Sequence, residues 1–298
     1  MQSGSSITLR YFARHLSATT TALLGALFAI GSVVAASEVG PPREKIVALG
    51  FDVASHALLK TYPKALYRRG NDGRDWEPIA LPKSVERGRI VSVAVPAHGQ
   101  GTLYIAGPGF GVLRSADAGR SWVAKNAGLP SREVVAITAH ADQPDTLYAY
   151  VAGKGIFRSE DAGGHWRLMD TGPREKILRL VHSNMPGSMQ TGWFFAATAK
   201  GVYRSMDCFC GWRDAGALAR AVDALAYDPQ QPKQVYAATA AGLFLSIDGG
   251  EQWSQVNAPG PVISALAVTP AGELYAAVGE GDLFRSVDHG QTWQRTDA

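Results

Sequence analysis

Six times the chain passes from an apolar strand through a short polar turn to a tryptophan: Leu66 to Trp76, Leu113 to Trp122, Ile156 to Trp166, Val202 to Trp212, Leu243 to Trp253 and Leu283 to Trp293. Those tryptophans lie 46, 44, 46, 41 and 40 residues apart. A repeat of this length belongs either to paired helices or to a four-stranded blade. Helical repeats need apolar residues every third or fourth position, and the units lack them. Each alternates apolar and polar residues instead, as in Ile90-Val-Ser-Val-Ala-Val95, Thr102-Leu-Tyr-Ile-Ala106, Gly111-Val-Leu-Arg114 and Trp122-Val-Ala124, which is the period of strands. The pattern predicts an all-β chain forming a single β-propeller of six four-stranded blades, at about 43–81, 87–127, 131–170, 174–215, 219–257 and 260–298. The last blade owns its fourth strand, Trp293 to Asp297, and the first blade its own first strand, so the ring is expected to close without strand exchange.

The turn before the tryptophan has the form Ser-x-Asp-x-Gly-x-x-Trp in blades 2, 3, 5 and 6, clearest at Arg114 to Trp122, Arg158 to Trp166 and Arg285 to Trp293, and the copy in blade 1 is degenerate. An Asp carboxylate accepts main-chain N–H groups two or more residues on, and Gly supplies the positive φ of a reversal. The indole buries a large apolar area across the two strands that the turn joins. These are folding roles, and Asp117, Trp122, Asp161, Trp166, Asp207, Trp212, Asp248, Trp253, Asp288 and Trp293 are assigned to them. The constellation resembles the Asp box, or bacterial neuraminidase repeat, of sialidases, sortilin-type receptors and photosystem II stability/assembly factors. The fourth copy is degenerate too, with Phe209 in the place of the Gly and Gly211 offering an alternative reversal. Both cysteines of the chain, Cys208 and Cys210, sit there. They form either a disulfide across the turn or two free thiols.

Residues 1–36 stand outside the repeats. Arg10, Arg14 and His15 precede an uncharged run from Ala22 to Ala36, and Val34 and Ala36 occupy the positions before a cleavage site at Ser37. The pattern is that of a secretory signal peptide, and the run is shorter than the roughly 20 residues of a comfortable membrane span. The expectation is a periplasmic or secreted propeller over 37–298, membrane-anchored if the signal stays uncleaved. Without 1–36 the chain has 27 Lys plus Arg and 26 Asp plus Glu. A balance so near neutrality argues against bulk electrostatic binding of nucleic acid. No His-x-Glu or His-x-x-x-His pair occurs, so neither a metal nor another cofactor is expected.

Chemistry is expected on the face opposite the Asp boxes. Aligning the blades brings Arg43, Arg89, Arg132, Arg174 and Arg220 to equivalent entry loops near the mouth of the central channel. Guanidinium groups so placed suit carboxylates of a partner or ligand, unless each is paired with a neighbouring Glu. One position sharpens the case. Ala48, Ser92, Ala136, Ala224 and Ala265 hold a first-strand site where small side chains fit, and blade 4 puts Arg179 there. Lys64, Lys154 and Lys200 lie in turns of the same face.

The resemblance implies two kinds of function. Sialidases place three arginines on a carboxylate beside a Tyr–Glu nucleophile and an Asp acid, with an early Arg-Ile-Pro-like motif; this chain has no Arg-Ile/Leu-Pro tripeptide. Photosystem II assembly factors are similar in their compact repeats and grip polypeptide segments of membrane complexes. The resemblance therefore implies a non-catalytic protein-binding or assembly-helper propeller of the bacterial envelope, its partner a membrane-complex protein, an acidic peptide or a glycan. A sialidase-like glycosidase or carbohydrate-binding propeller is the alternative.

Overall fold

The computed structural model describes residues 43–70, 75–189 and 192–296; the expected signal peptide and Asp297 lie outside them. Blade 1 is built from β1 (Ala48–Asp52), β2 (Ala57–Thr61), β3 (Leu66–Arg69) and β4 (Glu77–Ile79), and blade 2 from β5 (Ser92–Ala94), β6 (Leu103–Gly107), β7 (Gly111–Ser115) and β8 (Val123–Ala124). In blade 3, β9 (Val134–Ala139), β10 (Leu147–Val151), β11 (Gly155–Ser159) and β12 (Arg167–Asp170) follow, and in blade 4, β13 (Ile177–Ser183), β14 (Trp193–Thr198), β15 (Gly201–Met206) and β16 (Arg213–Asp214). Blade 5 has β17 (Val222–Tyr227), β18 (Val235–Thr239), β19 (Gly242–Ser246) and β20 (Ser254–Val256); blade 6 has β21 (Ile263–Val268), β22 (Leu274–Val278), β23 (Asp282–Ser286) and β24 (Gln294–Arg295). Each sheet is an antiparallel meander in chain order, and no strand is exchanged between β1 and β24. The architecture is the predicted six-bladed propeller.

The core lies between blades rather than within them. Six apolar clusters fill the six seams. Blades 3 and 4, for example, interdigitate Ala136, Tyr148, Tyr150 and Ile156 with Ile177, Leu180, Phe194 and Ala196. Blades 1 and 6 close the ring in the same way, with Ile46, Leu49, Leu58 and Tyr62 against Ala265, Ala267, Ala277 and Leu283. The second strands explain this: β2, β6, β10 and β18 are buried at every position, because both faces of each middle strand are covered by a neighbouring blade.

The Asp box performs as a turn device, with two refinements. Asp117 Oδ1 accepts Ser115 Oγ at 2.7 Å and Ser121 N at 2.9 Å, while Gly119 N donates to Ser115 Oγ at 2.7 Å. Asp161, Asp248 and Asp288 repeat the arrangement. First, the reversal takes two successive left-handed residues, since Ala118, Ala162 and His289 have φ of 56°, 57° and 59° just before the glycine. Second, the indole does not merely cover its own two strands. Trp122, Trp166, Trp253 and Trp293 donate Nε1–H to the carbonyls of Ala80, Lys125, Ala215 and Asn257, each at the end of the preceding blade. Trp212 does the same to the carboxylate of Asp170. The box tryptophan is therefore a clip between blades, with a donor satisfied at its far end.

Candidate functional site

The loops sort onto two faces. On one, the box turn bonds to the connection between the first two strands in blades 2 to 5, as Ala118 N does to Gly101 O and Ala162 N to Asp145 O. On the other, the blade-entry segment packs on the turn between the second and third strands: Ala152 N donates to Glu133 O, and a Cβ on Gly107 would fall 1.8 Å from Arg89 O. This second face carries the predicted arginines. Arg43, Arg89, Arg132, Arg174 and Arg220 are all exposed there. Among the described residues none of Arg43, Arg89, Arg132 and Arg174 makes an ion pair or a side-chain hydrogen bond; Arg220 lies over the Phe244 ring at 5.8 Å. Pairing with adjacent glutamates does not occur. Glu175 instead takes Lys200 at 2.7 Å, which holds that ammonium above its ordinary pKa. Lys64 is also committed, donating to the carbonyls of Val85, Glu86 and Gly88.

Arg179 occupies the register position that the alignment gives it. It pairs with Ala197 as Ala48 pairs with Thr61, Ser92 with Ala106 and Ala265 with Ala277. From there its side chain crosses the channel. Nη1 donates to Leu178 O at 2.9 Å and Nη2 to Val47 O of blade 1, on the far side of the ring, at 3.3 Å. Burial pushes its pKa down, and Asp223 acts against that. The channel it enters, of about 230 Å³, is lined by the first strands of all six blades and carries no carboxylate. Arg179 thus plugs one end of the channel with a charge that two carbonyls, rather than an anion, solvate.

A cluster that sequence reading missed lies in the seam between blades 3 and 4. His140, His182 and Asp207 are all buried, with one potential ligand atom of each within 4.8 Å of the others. His140 ends its first strand where Asp52, Asp228 and Thr269 stand in other blades, and like Asp228 it caps the following turn: the N–H groups of Asp142 and Gln143 donate to its Nδ1 at 3.1 Å each. His182 Nδ1 takes Ala141 N at 3.1 Å, and its Nε2 lies 3.8 Å from Asp207 Oδ2. Aligning strand ends would have exposed the first; nothing in the spacing points to the others. The sequence assigns Asp207 to the turn, and its carboxylate also faces His182 across the seam. In this copy Ser205 Oγ donates to Met206 O, whereas Ser115 and Ser159 donate to their box carboxylates. Replacement of the box Gly by Phe209, at φ 54°, and closure of a Cys208–Cys210 disulfide reshape the turn, with Gly211 at φ 123° completing the reversal.

The donor set of this cluster does not suit a metal. A metal on Nε2 needs the proton on Nδ1, yet both Nδ1 atoms face backbone N–H donors. Each neutral ring therefore carries its proton on Nε2, which in His182 lies 3.8 Å from Asp207 Oδ2. The cluster therefore works as a polar lock between blades. Burial, and then the neighbouring His182, hold the pKa of His140 at about 4.

The sequence matches the family described as photosynthesis system II assembly factor YCF48 over residues 38–298. A search of curated proteins finds no match. Similar solved structures include YCF48 bound to a D1 peptide (20% identity, TM-score 0.58, 86% of this chain and 83% of that one) and YCF48 from Cyanidioschyzon merolae (19%, 0.55, 86% of each). The GH74 xyloglucanase from Xanthomonas campestris is similar too (17%, 0.63, 86% of this chain and 46% of that one). At these identities the likeness is one of fold, and the chain spans between 31% and 55% of the length of the GH74 enzymes it matches. With the repeats, the six blades and a family match over the whole propeller in hand, the chain belongs to the photosynthesis system II assembly factor YCF48 family.

Proposed function

We propose that this chain is an exported, non-catalytic assembly helper that captures acidic segments of an envelope or membrane-complex protein on its arginine-bearing face. The observation that carries the reading is the set Arg43, Arg89, Arg132 and Arg174, exposed on one face without ion pairs among the described residues. Unpaired guanidinium groups are the residues of choice for bidentate capture of carboxylates, and four on one rim multiply the effect. Arg179 sits just inside the same mouth and adds field, with its guanidinium already turned to Val47. The family match and a relative whose structure holds a D1 peptide favour a polypeptide partner. Export rests on the uncharged run from Ala22 to Ala36. Against the glycosidase alternative, Asp117, Asp161, Asp248 and Asp288 each spend their carboxylates on main-chain and hydroxyl donors of their own turns.

The test is crosslinking and affinity capture from the native host's membrane fraction with the wild-type chain and with R132A/R174A. The variant should lose most of the specific partner, and the wild-type yield should fall steeply with salt. Equal capture by both proteins, or turnover of a fluorogenic glycoside by the purified chain, would overturn the reading.

A further inference from the structure

We propose that the Cys208–Cys210 bridge is a thiol-exchange site, with the Cys210 sulfur as the point of attack. The bridge uses both cysteines of the chain and spans a separation of two residues. A loop so short removes little freedom from the unfolded chain, so the bridge is a poor brace. Nor does the turn require it. The turns at Asp117, Asp161, Asp248 and Asp288 make their reversals with hydroxyl and carboxylate bonds alone. In blade 4 Ser205 Oγ turns to Met206 O, and an aromatic residue, Phe209, stands in the left-handed region where its sisters use glycine. Such a residue stays there only if its surroundings hold it. Here the stacking of Phe209 on Phe194, at 4.9 Å, does so. What the covalent version adds to the turn is reducibility.

Accessibility gives the exchange a direction. Cys210 is exposed and Cys208 half-buried. An incoming thiolate attacks Cys210 Sγ and forms a mixed disulfide; Cys208 leaves with the electron pair of the broken bond and takes a proton from water. A second thiolate attacks the incoming sulfur of that mixed disulfide and releases Cys210. Two thiols of the partner are oxidised to one disulfide, and Cys208–Cys210 is reduced to two thiols.

The full native chain, equilibrated in glutathione buffers, acid-quenched and alkylated for mass analysis, tests this. The bridge should open in about 1–10 mM reduced glutathione with the circular dichroism of the propeller unchanged, and the transient adduct should map to Cys210. In single variants, Cys210 of C208S should react at least about tenfold faster than Cys208 of C210S. A bridge that stays closed until urea unfolds the chain would overturn the proposal, as would loss of the fold on reduction or equal reactivity of the two sulfurs. The wild-type titration stands by itself should a variant misfold.

Discussion

His140 makes the propeller acid-sensitive between about pH 4 and 6.5. Its folded pKa is held at about 4, against 6.5 for the free side chain, because burial and His182 oppose the charge and Nδ1 is committed to two N–H donors. The unfolded chain therefore binds a proton at this residue between those values while the folded chain does not. Stability then rises with pH across the window and is lost as pH falls from 6.5 toward 4. The linkage gives a loss of about 2 kcal/mol at pH 5 and about 3 kcal/mol below pH 4. Asp117 and Asp288, whose carboxyls their Ser121 and Thr292 partners hold at about 2, lose their contribution only below 3.8, so the windows separate. The perturbation is H140N, whose amide oxygen can keep the turn-capping bonds that aspartate makes at the same position in blade 5. Urea unfolding of the full chain at pH 5, 6 and 7 should find the variant less stable at pH 7, through lost ring packing on His182 at 4.0 Å between centroids. Its loss between pH 7 and pH 5 should be smaller than that of the wild type by about 2 kcal/mol. Parallel pH profiles would refute the account, because they would mean that His140 titrates alike in both states.

Other outcomes follow from the seams and the channel. W253F keeps the ring but deletes the donor to the carbonyl of the fully buried Ala215, and should cost about 1–3 kcal/mol in urea unfolding at neutral pH. R179M replaces a desolvated charge with an apolar chain of similar length; thermal unfolding should change by less than about 1 kcal/mol or shift upward, and a large loss would mean that the bond to Val47 O carries the seam. D161N should weaken the blade 3 turn modestly and shift acid unfolding only below the ordinary carboxylate pKa, since Ser159 and the backbone of His165 hold Asp161 in its ionised form. Salt titration of partner capture should give a shallower dependence for R132A/R174A than for the wild type.

The blade count, the strand alternation and the two-face arrangement were legible because a repeat multiplies a weak local signal sixfold. Arg179 was legible for the same reason, as one charge in a column of small residues. The His140–His182–Asp207 lock was not. Its members come from the ends of two first strands and from a turn, and only packing of blade 3 on blade 4 unites them. The reach of the tryptophans was likewise hidden, since the acceptor of each indole lies some forty residues earlier and, except for the Asp170 carboxylate that takes Trp212, is a backbone carbonyl that no side chain announces.

Closing the ring by packing alone makes one seam different in kind. Between consecutive blades, bonds such as Trp166 to Lys125 span a separation of 41, whereas Arg69 to Thr296 and Ser264 to Ile46 bridge separations of 227 and 218. Loop closure at that distance costs about 1.5 kcal/mol more than at a neighbouring seam. The molecule is a linear array that happens to meet its own tail. Joining the natural ends and cutting between two other blades would move the expensive seam without removing it, and the blades that separate first would change with the cut.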